Sequence, residues 1–300
     1  VKPDLEVEVL PHEHGLMIKE IIYGRLGLSR GLLRRMKKGG RVCLNGVPAY
    51  ITQRVQARDR ISIYFADTPT TVAAQELDLA ILYEDDSIIV INKSPEMAVY
   101  PTHAHPEATL ANALAHRWMQ QGLDRKIRLI HRLDRETSGV IIAAKEPYAY
   151  HQLVQQLHDG RFTRTYLALV KGRLPEVTGV IDQPIGRADS NQAPAVKRMV
   201  TPNGKSAVTY YRVLQQYRDV SLLALRLVTG RTHQIRVHLS WLGYPILGDQ
   251  LYGNADSRLI PRQALHSWKV EFEHPRTGLP LILHAPLPPD MLSIIRQQLQ

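Results

Sequence analysis

The chain contains a single cysteine, Cys43, among 300 residues. One thiol excludes an internal disulfide and a cysteine-based zinc cluster, and it suits a reducing compartment. Long apolar runs are also missing, since none approaches the ~20 residues that a bilayer-spanning helix requires. The opening Val1-Lys2-Pro3-Asp4-Leu5-Glu6-Val7-Glu8-Val9 lacks the layout of a signal peptide, so a cytoplasmic protein with no membrane partner is expected. No P-loop, Rossmann glycine fingerprint, internal repeat, heptad array or low-complexity tract is present. Acids are scarce, with 28 Asp and Glu against 38 Lys and Arg and a formal net charge of +10. That imbalance favours a polyanionic partner through long-range attraction; nucleic acid is the economical choice, and a small anionic substrate is the alternative. The hydrophobic fraction of 44% can fill an ordinary core, and the length accommodates a large domain plus a small one.

The N-terminal region reads as two helices on a small sheet. Ile18 to Leu26 can form one helix, and Ser29 suits the N-cap of a second that reaches Lys38 and ends at Gly39-Gly40. Arg41-Val42-Cys43-Leu44 runs into Asn45-Gly46, a hairpin-turn dipeptide, and Arg60-Ile61-Ser62-Ile63-Tyr64 alternates as a strand. Arg30, Arg34, Arg35, Lys37, Lys38 and Arg41 crowd the second helix and its exit with no acid among them; phosphates would neutralise that repulsion, although a basic helix can also be a solvated face. Breaker residues after Tyr64 mark a linker, which divides the chain into 12–66, a linker at 67–76, and 77–300. Beyond it, strands are expected near Leu79–Tyr83, Ile88–Ile91, Val140–Ala144, Thr165–Val170, Ala207–Leu214 and Leu222–Val228. Helices are expected near Thr109–Gln121, Tyr148–Leu157 and Arg231–Leu242. Strands often follow strands, which points to an α+β domain with a mixed, largely antiparallel sheet.

The most informative run is His131-Arg132-Leu133-Asp134-Arg135-Glu136-Thr137-Ser138-Gly139. It sets one carboxylate between two guanidinium groups, an arrangement that favours the charged form and suits a nucleophile or base better than a proton donor. Taken alone, such a grouping is usually a structural ion pair. The run resembles, residue by residue, the signature of the RluA-type RNA pseudouridine synthases. Further matching segments follow in the family's order: Ile81-Leu82-Tyr83-Glu84-Asp85-Asp86 leading to Asn92-Lys93, Arg164-Thr165-Tyr166-Leu167-Ala168-Leu169-Val170-Lys171-Gly172, and Thr229-Gly230-Arg231-Thr232-His233-Gln234-Ile235-Arg236-Val237-His238.

The resemblance implies a pseudouridine synthase fold and an isomerisation that detaches uracil, turns it and rejoins it through carbon 5. That reaction needs no cofactor and no metal. It also implies that Asp134 is the catalytic carboxylate, that Tyr166 stacks on the target base, that Arg231 pairs with the aspartate, and that Arg132 rearranges the RNA around an extruded base. Attack on the sugar, attack on the base and removal of a sugar proton all remain open to Asp134. Leu28 through Gly46 is similar to the alpha-L RNA-binding module of a small-subunit ribosomal protein, although the module's usual opening sequence is replaced by Gly15-Leu16-Met17-Ile18-Lys19-Glu20-Ile21. Structured RNA is the expected partner, ribosomal RNA more than transfer RNA, and a monomer is the default.

Two other classes compete. A noncatalytic RNA-binding or ribosome-assembly protein would have no need of Asp134, Tyr166 and Arg231 together. A glycoside hydrolase needs two cooperating carboxyl groups, and the nearest second one, Glu136, is poorly placed to align with Asp134. The pairs His103/His105 and His12/His14 lack a third ligand at metal spacing and read as surface or capping histidines.

Overall fold

A computed structural model describes residues 3–36, 39–188, 194, 196–253 and 259–299. The N-terminal unit comprises β1 (Leu5–Glu8), α1 (Ile18–Tyr23), α2 (Arg30–Met36), β2 (Arg41–Leu44), β3 (Val47–Pro48) and β4 (Arg60–Tyr64). Its strands form an antiparallel sheet in the order β1-β4-β2-β3. Asn45 and Gly46 take φ values of 52° and 83°, the doubly left-handed pair that a tight hairpin requires. The Ser29 hydroxyl accepts the Leu32 N–H at 3.2 Å and caps α2. Ile18, Ile21, Ile22, Leu32, Ile61 and Ile63 give this unit a core of its own.

Two boundaries differ from the sequence expectation. The unit begins at β1, upstream of residue 12, because Leu5 and Val7 pair with Ile63 and Ile61 and pack on that core. Helix α1 stops at Tyr23, where Gly24 becomes its C-cap, and does not run on to Leu26. The linker is tied down along its length. Asp67 pairs with Arg128, the Asn112 amide donates to the Ala73 carbonyl at 2.8 Å, and the Gln75 N–H donates to the Asn112 carbonyl at 3.1 Å. Phe65 stacks on Tyr148 with ring centroids 6.2 Å apart, and His151 Nε2 donates to the Gly27 carbonyl at 3.0 Å, so the two units touch directly.

The larger domain opens with β5 (Ile81–Glu84), β6 (Ile88–Lys93), α3 (Leu110–Gln120), β7 (Arg128–Leu129), β8 (Ser138–Ala144) and α4 (Pro147–His158). It continues with β9 (Thr163–Lys171), β10 (Thr178–Asp182), β11 (Ile185–Arg187), β12 (Arg198–Val200), β13 (Val208–Gln216) and β14 (Val220–Leu227). Helix α5 (Gln234–Trp241), β15 (Leu265–Glu273), β16 (Pro280–His284) and α6 (Pro289–Gln297) complete it. The main sheet runs β10-β13-β14-β9-β15-β8-β6-β5, with β16 on β15 and β7 on β8. Every pair in it is antiparallel except β15 with β8, so the fold is α+β with a mixed, largely antiparallel core.

Strand β8 lies at the centre of this sheet, and all seven of its residues are buried. A strand covered on both faces reads as a continuous apolar run, as Val140-Ile141-Ile142-Ala143-Ala144 does. Its parallel neighbour β15 comes so close that Gly139, at φ +106°, lies where any Cβ would overlap the Ser267 carbonyl. Glycine is the one residue without that atom. Ser138 donates to His266 Nδ1 at 2.9 Å, the opposite ring nitrogen donates to the Ala285 carbonyl at 3.2 Å, and the Ser267 hydroxyl donates to the Val140 carbonyl at 3.0 Å. The Thr-Ser-Gly end of the 131–139 run therefore builds the seam between β8 and β15, and the Asp134 loop hangs from its edge.

Candidate active site

Asp134 lies in the loop between Ile130 and β8. The loop closes with the Thr137 N–H donating to the Asp134 carbonyl at 3.0 Å, and Arg262 Nη1 donates to the Glu136 carbonyl at 3.0 Å. Lys93, almost wholly buried, directs its three N–H groups to the carbonyls of Ser94, Met97 and Arg135, at 2.6, 2.9 and 2.9 Å. Burial lowers its pKa to about 7. Three acceptors match an ammonium's three donors, and Lys93 thereby staples the loop after β6 to the loop that carries Asp134.

The Asp134 carboxylate borders a cavity of about 630 Å3. Tyr166, Arg132, Arg164, Arg231, His233 and Arg236 line the same space, and among the described lining residues Asp134 is the sole carboxylate. Glu136 is not on the wall; it pairs with Arg135 at 3.6 Å. That leaves no second acid opposite Asp134 of the kind a glycoside hydrolase uses. Tyr166 projects from β9 and is 4% exposed, and burial pushes its hydroxyl pKa upward, which keeps it protonated at neutral pH.

The cation beside Asp134 is Arg236, in place of the expected Arg231. Arg236 Nη1 donates to Asp134 Oδ2 at 3.1 Å, while Nε and Nη2 hold both oxygens of Asp249 at 2.7 and 2.9 Å. Arg231 turns outward, is exposed, and donates through Nε to the Ser206 carbonyl at 2.9 Å. The cause is where α5 starts. His233 adopts the left-handed conformation, φ 57°, so the helix begins at Gln234, three residues later than expected. Arg231 is thus left on the approach loop, and Arg236, in the first turn, faces inward. Arg132 and Arg135, which flank Asp134 in sequence, are exposed; Arg135 instead caps the Glu96 carbonyl at 3.0 Å.

The polar side chains of the 229–238 segment anchor this turn. Thr229 and the Arg231 N–H both donate to Gln234 Oε1, at 2.8 and 2.9 Å, and Gln234 Nε2 donates to the Val208 carbonyl at 3.0 Å. His238 bridges Thr209 and the Gln183 carbonyl, each at 2.9 Å. The Arg198 N–H donates to the Tyr252 hydroxyl at 2.8 Å, and that hydroxyl lies 2.9 Å from His233 Nδ1. Burial pushes the His233 pKa down, so the ring is neutral. With Nδ1 accepting from Tyr252, the ring proton is on Nε2, which faces Asp134 Oδ2 at 3.8 Å. Neither Asp249 nor Tyr252 carries a recognisable motif, and their part in holding Arg236 and His233 is visible only in three dimensions.

The described N-terminal basic side chains, Arg30 and Arg41, lie outside this cavity. Arg30 is exposed with its guanidinium 5.9 Å from the Tyr23 ring centre, and Arg41 is exposed with its own 4.2 Å from that of Tyr64. Arg34 and Arg35 belong to α2, but their side chains, like Lys37 and Lys38 entirely, fall outside the described residues. His103 and His105 are exposed, and His14 Nδ1 accepts the Ala57 N–H at 3.4 Å. Among the described residues, no helix is long and apolar enough to cross a membrane.

A family model described as RNA pseudouridylate synthase matches residues 87–241. The chain is 39% identical over 276 residues to an uncharacterized RNA pseudouridine synthase, YjbO, of Bacillus subtilis, covering 91% of this chain and 96% of that protein. It is 39% identical over 281 residues to the ribosomal large subunit pseudouridine synthase D of Vibrio parahaemolyticus, covering 89% of this chain and 85% of the relative. Among solved structures, human RNA pseudouridylate synthase domain containing 1 superposes with a TM-score of 0.59 at 28% identity, covering 72% of this chain and 86% of the other. Given a model match over half its length and relatives aligned along most of it, the chain belongs to the RNA pseudouridylate synthase family, isomerases that act on RNA.

Proposed function

We propose that this enzyme converts a uridine of large-subunit ribosomal RNA to pseudouridine, with Asp134 as the reacting carboxylate and without a cofactor or metal. The observation that carries this reading is the grouping of Asp134, its ion-pair partner Arg236 and the buried Tyr166 on one cavity roomy enough for a nucleoside. Large-subunit ribosomal RNA is favoured because several relatives, including those of Vibrio parahaemolyticus and Nitrosomonas europaea, are named ribosomal large subunit pseudouridine synthase D. An enzyme of that RNA works in the cytoplasm.

A uridine inside folded RNA must leave its stack to reach the cavity, at a cost of about a few kcal/mol. Tyr166 offers the extruded base an aromatic face. Arg132 and Arg231, exposed at the rim, are placed to meet the flanking phosphates and to fill the space the base vacates. Arg236 holds the carboxylate in one orientation, and its own charge is shared with Asp249. The N-terminal unit, with two helices on a sheet and exposed Arg30 and Arg41, is consistent with an alpha-L RNA-binding module that brings structured RNA to this face.

The test is to incubate the protein with unmodified large-subunit ribosomal RNA carrying tritium at uridine C5 and to follow tritium release. Wild-type protein releases one equivalent per target site, and Asp134→Asn, which keeps shape and loses charge, binds the RNA equally well and releases none. Release from transfer RNA alone would move the target, and turnover by Asp134→Asn would remove the aspartate from its role. Tight binding with no release from either RNA would favour a noncatalytic protein.

A further inference from the structure

Arg164 is buried, only 6% exposed, yet it lines the cavity. It precedes Tyr166 by two positions on β9, so the two side chains leave the same face of the strand. Its guanidinium lies against the backbone of Gly230, where a Cβ would stand 3.6 Å from Nη1 and 3.8 Å from Nη2. Among the described residues no carboxylate pairs with it, and its Nε is fully buried without a hydrogen-bond partner. A buried charge without a counter-ion is costly, and a site that retains one has prepared it for a ligand's charge. The other buried cation of the cavity, Arg236, is already neutralised by Asp134 and Asp249. His131, beside Arg164 on the same wall, adds no charge, because burial and the neighbouring guanidinium hold its pKa down to about 3. Both of its ring nitrogens are buried without a hydrogen-bond partner of normal geometry, which marks this stretch of wall as unsatisfied until something occupies the cavity.

We propose that Arg164 is a catalytic residue whose guanidinium donates to a carbonyl oxygen of the extruded uracil and stabilises the negative charge the base acquires when it leaves the sugar. This role presupposes the reading of the Asp134 cavity as the pseudouridylation centre. When N1–C1′ breaks, the electron pair stays on the base and spreads over N1, O2 and O4. The sugar is balanced either by an Asp134 oxygen bonding to C1′ or by Asp134 removing the C2′ proton. If Asp134 instead adds to C6 first, the displaced pair moves to O4. In every case C5 then supplies the pair for the new C5–C1′ bond, the Asp134 oxygen is released from C1′ or C6 or the proton it took is returned to C2′, the C5 proton departs and N1 gains one, with no net change in composition. All three routes load charge onto the ring oxygens, and Arg164 is the buried cation of this wall with no carboxylate against it among the described residues. Preorganised donors aimed at developing charge in a water-poor cavity act in this way.

The experiment compares wild type, Arg164→Gln and Arg164→Lys in single turnover on two transcripts of bacterial large-subunit ribosomal RNA, one with uridine and one with 5-fluorouridine. Loss of the substrate nucleoside is read by nuclease digestion and chromatography, and transcript affinity by filter binding. Fluorine withdraws electrons and makes the departing base a better anion, so it substitutes for part of the guanidinium's work. Arg164→Gln is expected to lose roughly a hundred- to a thousandfold in rate on the uridine transcript with its affinity retained. The deficit should shrink about tenfold or more on the fluorinated transcript, and Arg164→Lys should recover part of the loss. Equal deficits on both transcripts, or a loss that resides in affinity as a phosphate contact would produce, overturns the role. Arg164→Lys preserves the test if Arg164→Gln unfolds: a lysine variant with the same deficit on both transcripts refutes it equally. A wild-type protein inactive on both transcripts indicts the functional reading itself, whereas an active wild type with an equally active Arg164→Gln indicts Arg164 alone.

Discussion

Asp134 and Asp249 share one guanidinium: Arg236 grips Asp249 through two nitrogens and reaches Asp134 with the third. Asp249 is completely buried, and its Oδ1 also accepts the N–H groups of Leu251 and Tyr252 at 3.0 and 3.1 Å. The Asp134 carboxylate is thus oriented by a second one that never meets the cavity. Replacing Asp249 by Ala leaves the buried Arg236 with only its single contact to Asp134 among the described carboxylates, and removal of one partner from a buried pair costs up to about 3–5 kcal/mol. Urea unfolding will show that loss. Asp249→Asn, which preserves the shape, should retain most of the stability while lowering turnover, because Arg236 is then free to swing toward Asp134; unchanged turnover in Asp249→Asn would show that Arg236 is held by other means.

Gly139→Ala tests the seam beneath the site. The added methyl must displace the Ser267 carbonyl and occupy a φ of +106°, and overpacking combined with a forbidden backbone angle should cost at least about 3 kcal/mol. Glycines at open turns offer the control: Gly122→Ala, at φ +66° with nothing within 4 Å of its Cβ, should cost about 1 kcal/mol. Comparable urea midpoints for the two variants would mean that the parallel pair can separate.

Acid should weaken the fold through its buried histidines. Burial holds His131 to a pKa of about 3 and His266 to about 4, against an ordinary value of 6.5. Between these limits the unfolded chain binds more protons than the folded one, so stability is complete above pH 6.5 and falls as the pH drops from there toward 4. A urea midpoint measured from pH 7.5 down to 5 should decline, and His131→Phe, which can pack against Phe162, should flatten part of the slope. A midpoint that stays level over that interval would contradict the assigned protonation states.

Deleting residues 1–76 should leave a folded catalytic domain, because the N-terminal core and the cores of the larger domain are built from different buried residues. The truncated protein should bind ribosomal RNA more weakly and with a shallower salt dependence, by about 0.9 in log–log slope for each phosphate that the missing unit would have neutralised. Loss of cooperative thermal unfolding would show that Phe65 against Tyr148 and Asp67 against Arg128 are structural necessities.

Much of this architecture is readable from residue pattern alone. The apolar runs of β8 and β6 and the alternation of β4 announce their strands, and the 131–139 run draws attention to Asp134 through its family resemblance. What escapes such reading is side-chain direction and buried polarity. Strand β15 lies between β9 and β8 yet carries His266 and Ser267, which look wrong for a core until their bonds to Ser138, Ala285 and Val140 are seen. Arg231 and Arg236 stand in one motif, and only the left-handed turn at His233 decides which of them faces the carboxylate. Arg164 is one more cation in a basic chain until its burial, and the lack of a carboxylate beside it among the described residues, are known.

The parallel pairing of β8 with β15 brings together segments separated by more than 120 positions. A chain released before residue 265 has Asp134 and the β6 side of β8, but it lacks β15, the strand that closes against Ser138 and Gly139 at the end of the aspartate loop. The support of that loop is therefore completed late in synthesis, and a product cut short of β15 is expected to be inactive.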